Sequence, residues 1–83
     1  MTATTAEQAY QTYNQAVSAA RAALHAAVLQ SLEALNGAVV GTTAHDMEAV
    51  DAALTVHIAA IQEERYRYRQ AVHTAFDRFS RAL

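Results

Sequence analysis

The sequence predicts an all-α protein folded as an antiparallel two-helix hairpin. Hydrophobic residues make up 53% of the 83 residues, proline is absent, and both glycines, Gly37 and Gly41, lie close together in mid-chain. Alanine, which has the highest helix propensity, is abundant on both sides of them. Large apolar residues recur at helical spacing in both halves. We therefore expect one domain over residues 1–83, with a helix over about 5–36, a turn over about 37–42 and a helix over about 43–82.

The first helix is predicted to begin at a Thr4 or Thr5 cap, with Glu7 placed favourably for the helix dipole. Its large residues form one stripe, with Leu32 just outside it: Tyr10, Tyr13, Val17, Leu24, Val28 and Leu35. A parallel stripe consists of alanine only: Ala9, Ala16, Ala20, Ala23, Ala27 and Ala34. Small side chains allow another helix to approach closely. Gly37 after Asn36 is a typical left-handed residue at a helix end, so we expect this helix to end there.

The second helix is predicted to begin near Thr43, which with Asp46 resembles a capping box. Its apolar face carries Met47, Val50, Leu54, Ile58, Ile61, Tyr68, Val72, Phe76, Phe79 and Leu83. With the turn centred near residue 39 or 40, the numbers of facing residues sum to about 79. Helix one then ends near position 74 of helix two, and Phe76, Phe79 and Leu83 extend beyond it. Burying such side chains contributes roughly 1.5–3 kcal/mol each. We therefore expect the hairpin to complete its core as a homodimeric four-helix bundle or coiled coil, or against a helical partner.

Arg65 interrupts the apolar face of the second helix between Ile61 and Tyr68. Its aliphatic stem could lie along the seam with the guanidinium in water. Alternatively its charge could serve a partner, or stack on a tyrosine (Tyr10, Tyr13 or Tyr68). Tyrosine and arginine are frequent anchors of protein interfaces. The residues predicted to bind a partner are Arg65, Tyr66, Tyr68, Val72, Phe76, Phe79, Leu83, Tyr10 and Tyr13.

The charged run over residues 63–69 has two interpretations. On a helix, Glu63 and Glu64 can pair with Arg67 and Arg69, which predicts a solvated, self-paired face. The alternative is a nucleic-acid adaptor that uses five arginines: Arg65, Arg67, Arg69, Arg78 and Arg81. The formal net charge of -2 and the absence of lysine disfavour it. We expect no nucleic-acid partner.

A metal- or ligand-binding bundle is the rival class of function. Its candidate ligands are His25, His57, Glu33 and His45, with Asp46 and Glu48 nearby. Asp46 points away from the side shared by His45 and Glu48, and acids at a helix start are explained by the dipole. We therefore expect no metal and no cofactor.

Several other classes are disfavoured. No serine has a base placed to activate it, no glycine-rich phosphate loop is present, and two helices leave no room for a catalytic pocket, so no enzyme is expected. The absence of cysteine excludes disulfides. The N-terminus shows no basic start followed by an apolar run, and uncharged apolar stretches are short, so we expect neither a signal peptide nor a membrane span.

Two short segments resemble a known family. Leu35-Asn36-Gly37 and Tyr66-Arg67-Tyr68 are similar to the helix end and the aromatic-basic run of small helical-hairpin chaperones of type III secretion needle subunits. The resemblance implies a cytoplasmic bacterial protein that binds a tetratricopeptide-like co-chaperone, keeps the needle subunit from polymerising early, and has no catalytic residues. Tyr66 and Tyr68 would then lie near the partner surface. The chain also resembles secreted hairpin dimers of the WXG type, although their tryptophan and their Tyr-x-x-x-Asp/Glu tail are absent. The function expected is thus protein binding, as a small chaperone or adaptor.

Overall fold

Two long antiparallel helices form the structure, a computed structural model that describes residues 2–40 and 46–83, with side chains from residue 5. Helix α1 spans Thr2–Val40 and helix α2 spans Met47–Ala82. The Cα trace measures 67 × 15 × 8 Å, so the molecule is a ribbon two helices wide and one helix thick. The prediction of an all-α helical hairpin is confirmed.

The helix boundaries differ from the prediction around the turn. Helix α1 continues through Asn36 and Gly37 to Val40, and Gly37 does not have a positive φ. The predicted helix end at Gly37 is therefore wrong. Thr43, the predicted cap of the second helix, lies outside the described residues. The observed N-cap is Asp46, whose Oδ1 accepts a hydrogen bond from the Ala49 N–H at 3.1 Å.

The later turn changes which residues face each other. The pairs Ser31–His57 and Tyr10–Phe79 show that the numbers of facing residues sum to 88 or 89. The predicted sum of about 79 is wrong, and with it the prediction that Phe76 and Phe79 extend beyond helix one. Instead, Tyr10 of α1 contacts Phe79, and Tyr13 contacts both Phe76 and Phe79.

The contact between the helices is a narrow seam in which small residues are prominent. Only Ala75 is buried among the described residues, with 7% of its surface exposed. The half-buried residues on α1 include Ala9, Tyr13, Ala20, Leu24, Ala27, Ser31 and Leu35. Those on α2 include Val50, Ala53, His57, Ala60, Glu64, Tyr68 and Phe79. Because alanines occupy much of the seam, many of the large residues lie beside it rather than in it.

Candidate protein-interaction face

The ribbon has two different faces. At 100° per residue, the large residues of each helix are rotated away from its seam residues, and the sense of this rotation is the same on α1 and on α2. Because the two helices are antiparallel, both sets of large residues lie on one face of the ribbon. We call this the bulky face. On α1 it comprises Tyr10, Asn14, Val17, Arg21, Leu24, Val28, Leu32, Leu35 and Val39. On α2 it comprises Met47, Val50, Leu54, Ile58, Ile61, Arg65, Tyr68, Val72, Phe76, Phe79 and Leu83. The opposite side, rich in alanine, is the alanine face.

Large apolar side chains on the bulky face are open to solvent. Leu32, Leu54, Ile58 and Phe76 are 49%, 42%, 49% and 56% exposed. The residues of the bulky face recur at intervals of three and four residues on each helix, which is the spacing of a coiled-coil seam. The hairpin therefore carries a second apolar seam that its own two helices do not fill.

One end of the bulky face is aromatic. The ring centroids of Tyr13 and Phe79 lie 5.5 Å apart, and those of Tyr10 and Phe79 lie 6.3 Å apart. Phe76 joins this cluster at 6.3 Å from Tyr13 and 6.5 Å from Phe79. Edge-to-face pairs of this kind contribute about 0.5–1.5 kcal/mol each beyond their buried area. The cluster fixes the register of the two helices.

The middle of the bulky face is cationic. Arg65 lines a shallow cavity of about 370 Å³ together with Leu24, Tyr68 and Val72. Arg21 lies nearby on α1, because position 21 faces positions 67 and 68. Both side chains are exposed, and neither forms a salt bridge within residues 2–40 and 46–83. The sequence pattern predicts a role for Arg65 but not for Arg21. The signal for Arg21 was its spacing of seven residues from Asn14 and Val28.

The predicted self-pairing of the charged run is confirmed for Arg67. Its guanidinium donates to Glu63 Oε1 at 2.8 Å and to Glu64 Oε1 at 3.1 Å. Arg69 has no salt bridge among the described residues, contrary to its predicted pairing. Arg81 lies 3.6 Å from Asp77. The arginines without a salt bridge therefore include the two on the bulky face.

Tyr66 lies apart from the other residues predicted to bind a partner. It is two positions from Tyr68, or about 200° around the helix, and so points away from the seam. Tyr66 is 61% exposed, whereas Tyr68 is half-buried. The structure thus separates the two tyrosines that the family resemblance places on one partner surface. The other eight predicted residues lie on the bulky face or next to it, in the seam.

The candidate metal ligands are not brought together. His57 Nδ1 lies 2.8 Å from Ser31 Oγ, and His25 is exposed on α1. Glu33 faces positions near 55, so it does not lie across from Asp46 and Glu48 as predicted. His45 lies outside the described residues. In the parts of the chain that are described, no group of three His, Asp or Glu residues could hold an ion.

The structure has a groove on the alanine face that was not predicted from the sequence. It has a volume of about 520 Å³ and is lined by Ala9, Thr12 and Ala16 of α1 and by Ala71 and Arg78 of α2. The alanine stripe of α1 indicates one wall of this groove, and small residues of α2 such as Ala71 form the other. The groove is wide open because short side chains leave the space between the two helices unfilled.

Helix α1 is long and apolar enough over Thr5–Val40 to cross a membrane, by length and composition alone. The prediction of no membrane span was based on uninterrupted apolar stretches only, so it missed the apolar character of the whole helix. Core helices of soluble proteins and signal sequences meet the same criterion. Arg21 and Glu33 are exposed on this helix, and a charge at the centre of a bilayer costs about 2.5–3.5 kcal/mol.

Comparison of the chain with protein-family models, with curated proteins and with solved structures finds no match in any of the three.

Proposed function

We propose that this protein is a non-enzymatic protein-binding module, a small chaperone or adaptor, whose bulky face is covered by helices of another polypeptide. The observation that carries the proposal is the accessible surface of 6550 Å². A compact monomer of 9.0 kDa exposes about 4,850 Å². The excess is about 1,700 Å², whereas a protein–protein interface of standard size buries about 800 Å² per partner.

The character of the excess surface supports a protein partner. Leu32, Leu54, Ile58 and Phe76 lie on the bulky face, whose residues recur at coiled-coil spacing, and each exposes two-fifths or more of its surface. Contiguous apolar patches of this kind mark protein–protein or membrane interaction sites. The spacing matches another helix, because a and d side chains pack between those of a facing helix.

The specific form suggested by the resemblance is a cytoplasmic chaperone of a type III secretion needle subunit. Of its two sequence features, the Leu35-Asn36-Gly37 segment is helical here and does not end the helix. The Tyr66-Arg67-Tyr68 run is present on α2, but its two tyrosines point to different sides of the helix. The proposal of a protein-binding module therefore depends on the bulky face. The role as a secretion chaperone is a narrower form of that proposal.

The test compares two matched substitutions. Ile58→Ser removes an apolar side chain from the bulky face, and Val56→Ser removes one that is 69% exposed on the alanine side. We expect the unmodified protein to associate with rising concentration in sedimentation velocity, or to bind the apolar dye ANS as a helical monomer. Ile58→Ser reduces this signal and Val56→Ser preserves it. A monomer at every concentration that leaves ANS fluorescence unchanged contradicts the proposal.

A further inference from the structure

Arg21 and Arg65 form no salt bridge among the described residues, and this indicates what kind of helix covers the bulky face. Resting on the proposed function, we infer that the partner is a different polypeptide, an amphipathic helix or helical hairpin that presents carboxylates level with Arg21 and Arg65. A second copy of this chain does not satisfy that requirement.

Arg21 and Arg65 form one charged layer in a mainly apolar seam. Arg21 is the only charged residue among the bulky-face residues of α1, and Arg65 is the only one among those of α2. Because the numbers of facing residues sum to 88 or 89, Arg21 and Arg65 lie within three residues of each other along the ribbon. Apolar side chains lie above and below the layer, so a helix that covers them also covers the arginines.

Covering these arginines demands an acceptor. A guanidinium presents five N–H donors and keeps its charge in proteins. A buried cation without a partner is strongly destabilising, whereas a carboxylate can accept two parallel hydrogen bonds from it. The nearest acids on α2, Glu63 and Glu64, already pair with Arg67. The acceptors must therefore come from the partner.

A second copy brings arginines to the same place. Residue 21 is the midpoint of Thr2–Val40, and residue 65 lies next to the midpoint of Met47–Ala82. A two-fold dimer that overlays the bulky faces along their whole length therefore superposes the two cationic layers, whether its axis runs along the ribbon or across its middle. Like charges juxtaposed in an interface suppress such a pairing. Charge complementarity favours an acidic layer on a distinct partner.

Designed helical peptides test the inference on the whole protein. One peptide of about four heptads has an apolar a/d stripe with two glutamates in its central layer. Two matched peptides carry glutamine or arginine there. Fluorescence anisotropy measures each affinity. We expect the glutamate peptide to bind about tenfold or more tightly than the glutamine peptide, as a charge-assisted hydrogen bond provides, and the arginine peptide to bind most weakly.

Protein variants identify the residues responsible. The double variant Arg21→Met and Arg65→Met is expected to bind the glutamate and glutamine peptides equally. Arg78→Met, which removes a guanidinium from the groove on the alanine face, is expected to retain the discrimination. Circular dichroism confirms that each variant keeps its helicity.

The outcomes separate this inference from the proposed function. Equal affinity for the glutamate and glutamine peptides, or a dimer that Ile58→Ser dissociates, overturns the acidic partner but leaves a protein-binding bulky face. Failure of every peptide to bind also overturns the inference. If that failure is accompanied by a monomer that does not bind ANS, the proposed function falls as well.

Discussion

Replacing Gly37 by alanine distinguishes the observed helix boundary from the one that the Asn-Gly pair predicts. In the structure Gly37 lies inside α1 with a φ outside the positive region. A Cβ built on it meets nothing within 4 Å. Alanine therefore fits without a clash or backbone strain. A left-handed glycine at a helix end, in contrast, tolerates alanine poorly.

The expected effect is a gain in stability. Alanine in a helix interior is favoured over glycine by about 0.5–1 kcal/mol, because glycine loses more backbone freedom on folding. In a domain of this size, 1 kcal/mol shifts Tm by about 4–8 °C, so Gly37→Ala should raise Tm by about 2–8 °C.

Thermal unfolding followed by far-ultraviolet circular dichroism measures the shift. All variants are compared at one protein concentration, because association makes Tm depend on it. The matched control is Ala26→Gly, at an exposed position within the same helix, which should lower Tm by a similar amount. A fall in Tm for Gly37→Ala would refute the reasoning, because it would show that residue 37 has a left-handed conformation at a helix end.

Four further substitutions test the packing and the cap. Phe79→Ala removes the most central ring of the aromatic cluster and should lower the free energy of unfolding by about 2–3 kcal/mol in urea titrations. Phe76→Ala removes a more exposed ring and should lower it by less than half as much. Equal losses for the two variants would contradict the described register. Asp46→Ala deletes the N-cap of α2 and should cost about 1 kcal/mol, whereas an unchanged urea midpoint would show that the helix begins elsewhere. Ser31→Ala removes the hydrogen bond to His57 and should cost about 1 kcal/mol by the same titration; no loss would mean that water replaces Ser31 freely.

The fold class could be predicted from the sequence, but the turn could not. Asn36-Gly37 is a strong local signal for a helix end, whereas the actual boundary is a property of the whole hairpin. Continuing α1 to Val40 keeps glycine in the helix at a cost of about 1 kcal/mol. In return, the register brings Tyr10 and Tyr13 against Phe76 and Phe79. Such a gain between distant residues is not visible in a local pattern.

Only part of the bulky face could be predicted from the sequence. Large residues at three- and four-residue spacing identified the stripe, and the break in its pattern identified Arg65. The pattern could not show that alanines beside the stripe, such as Ala53, Ala60 and Ala75, lie in or against the seam between the helices. Small residues permit the closer approach of two helices, and this leaves Ile58 and Leu54 outside the seam.

The arrangement of the two helices in a single layer has a consequence for the protein in the cell. Among the described residues of this single layer only Ala75 is buried, so we expect the backbone to open readily. Proteases cleave chains that open. If another polypeptide covers the bulky face as proposed, we expect the protein to be degraded faster when it is expressed alone than when it is expressed with that polypeptide.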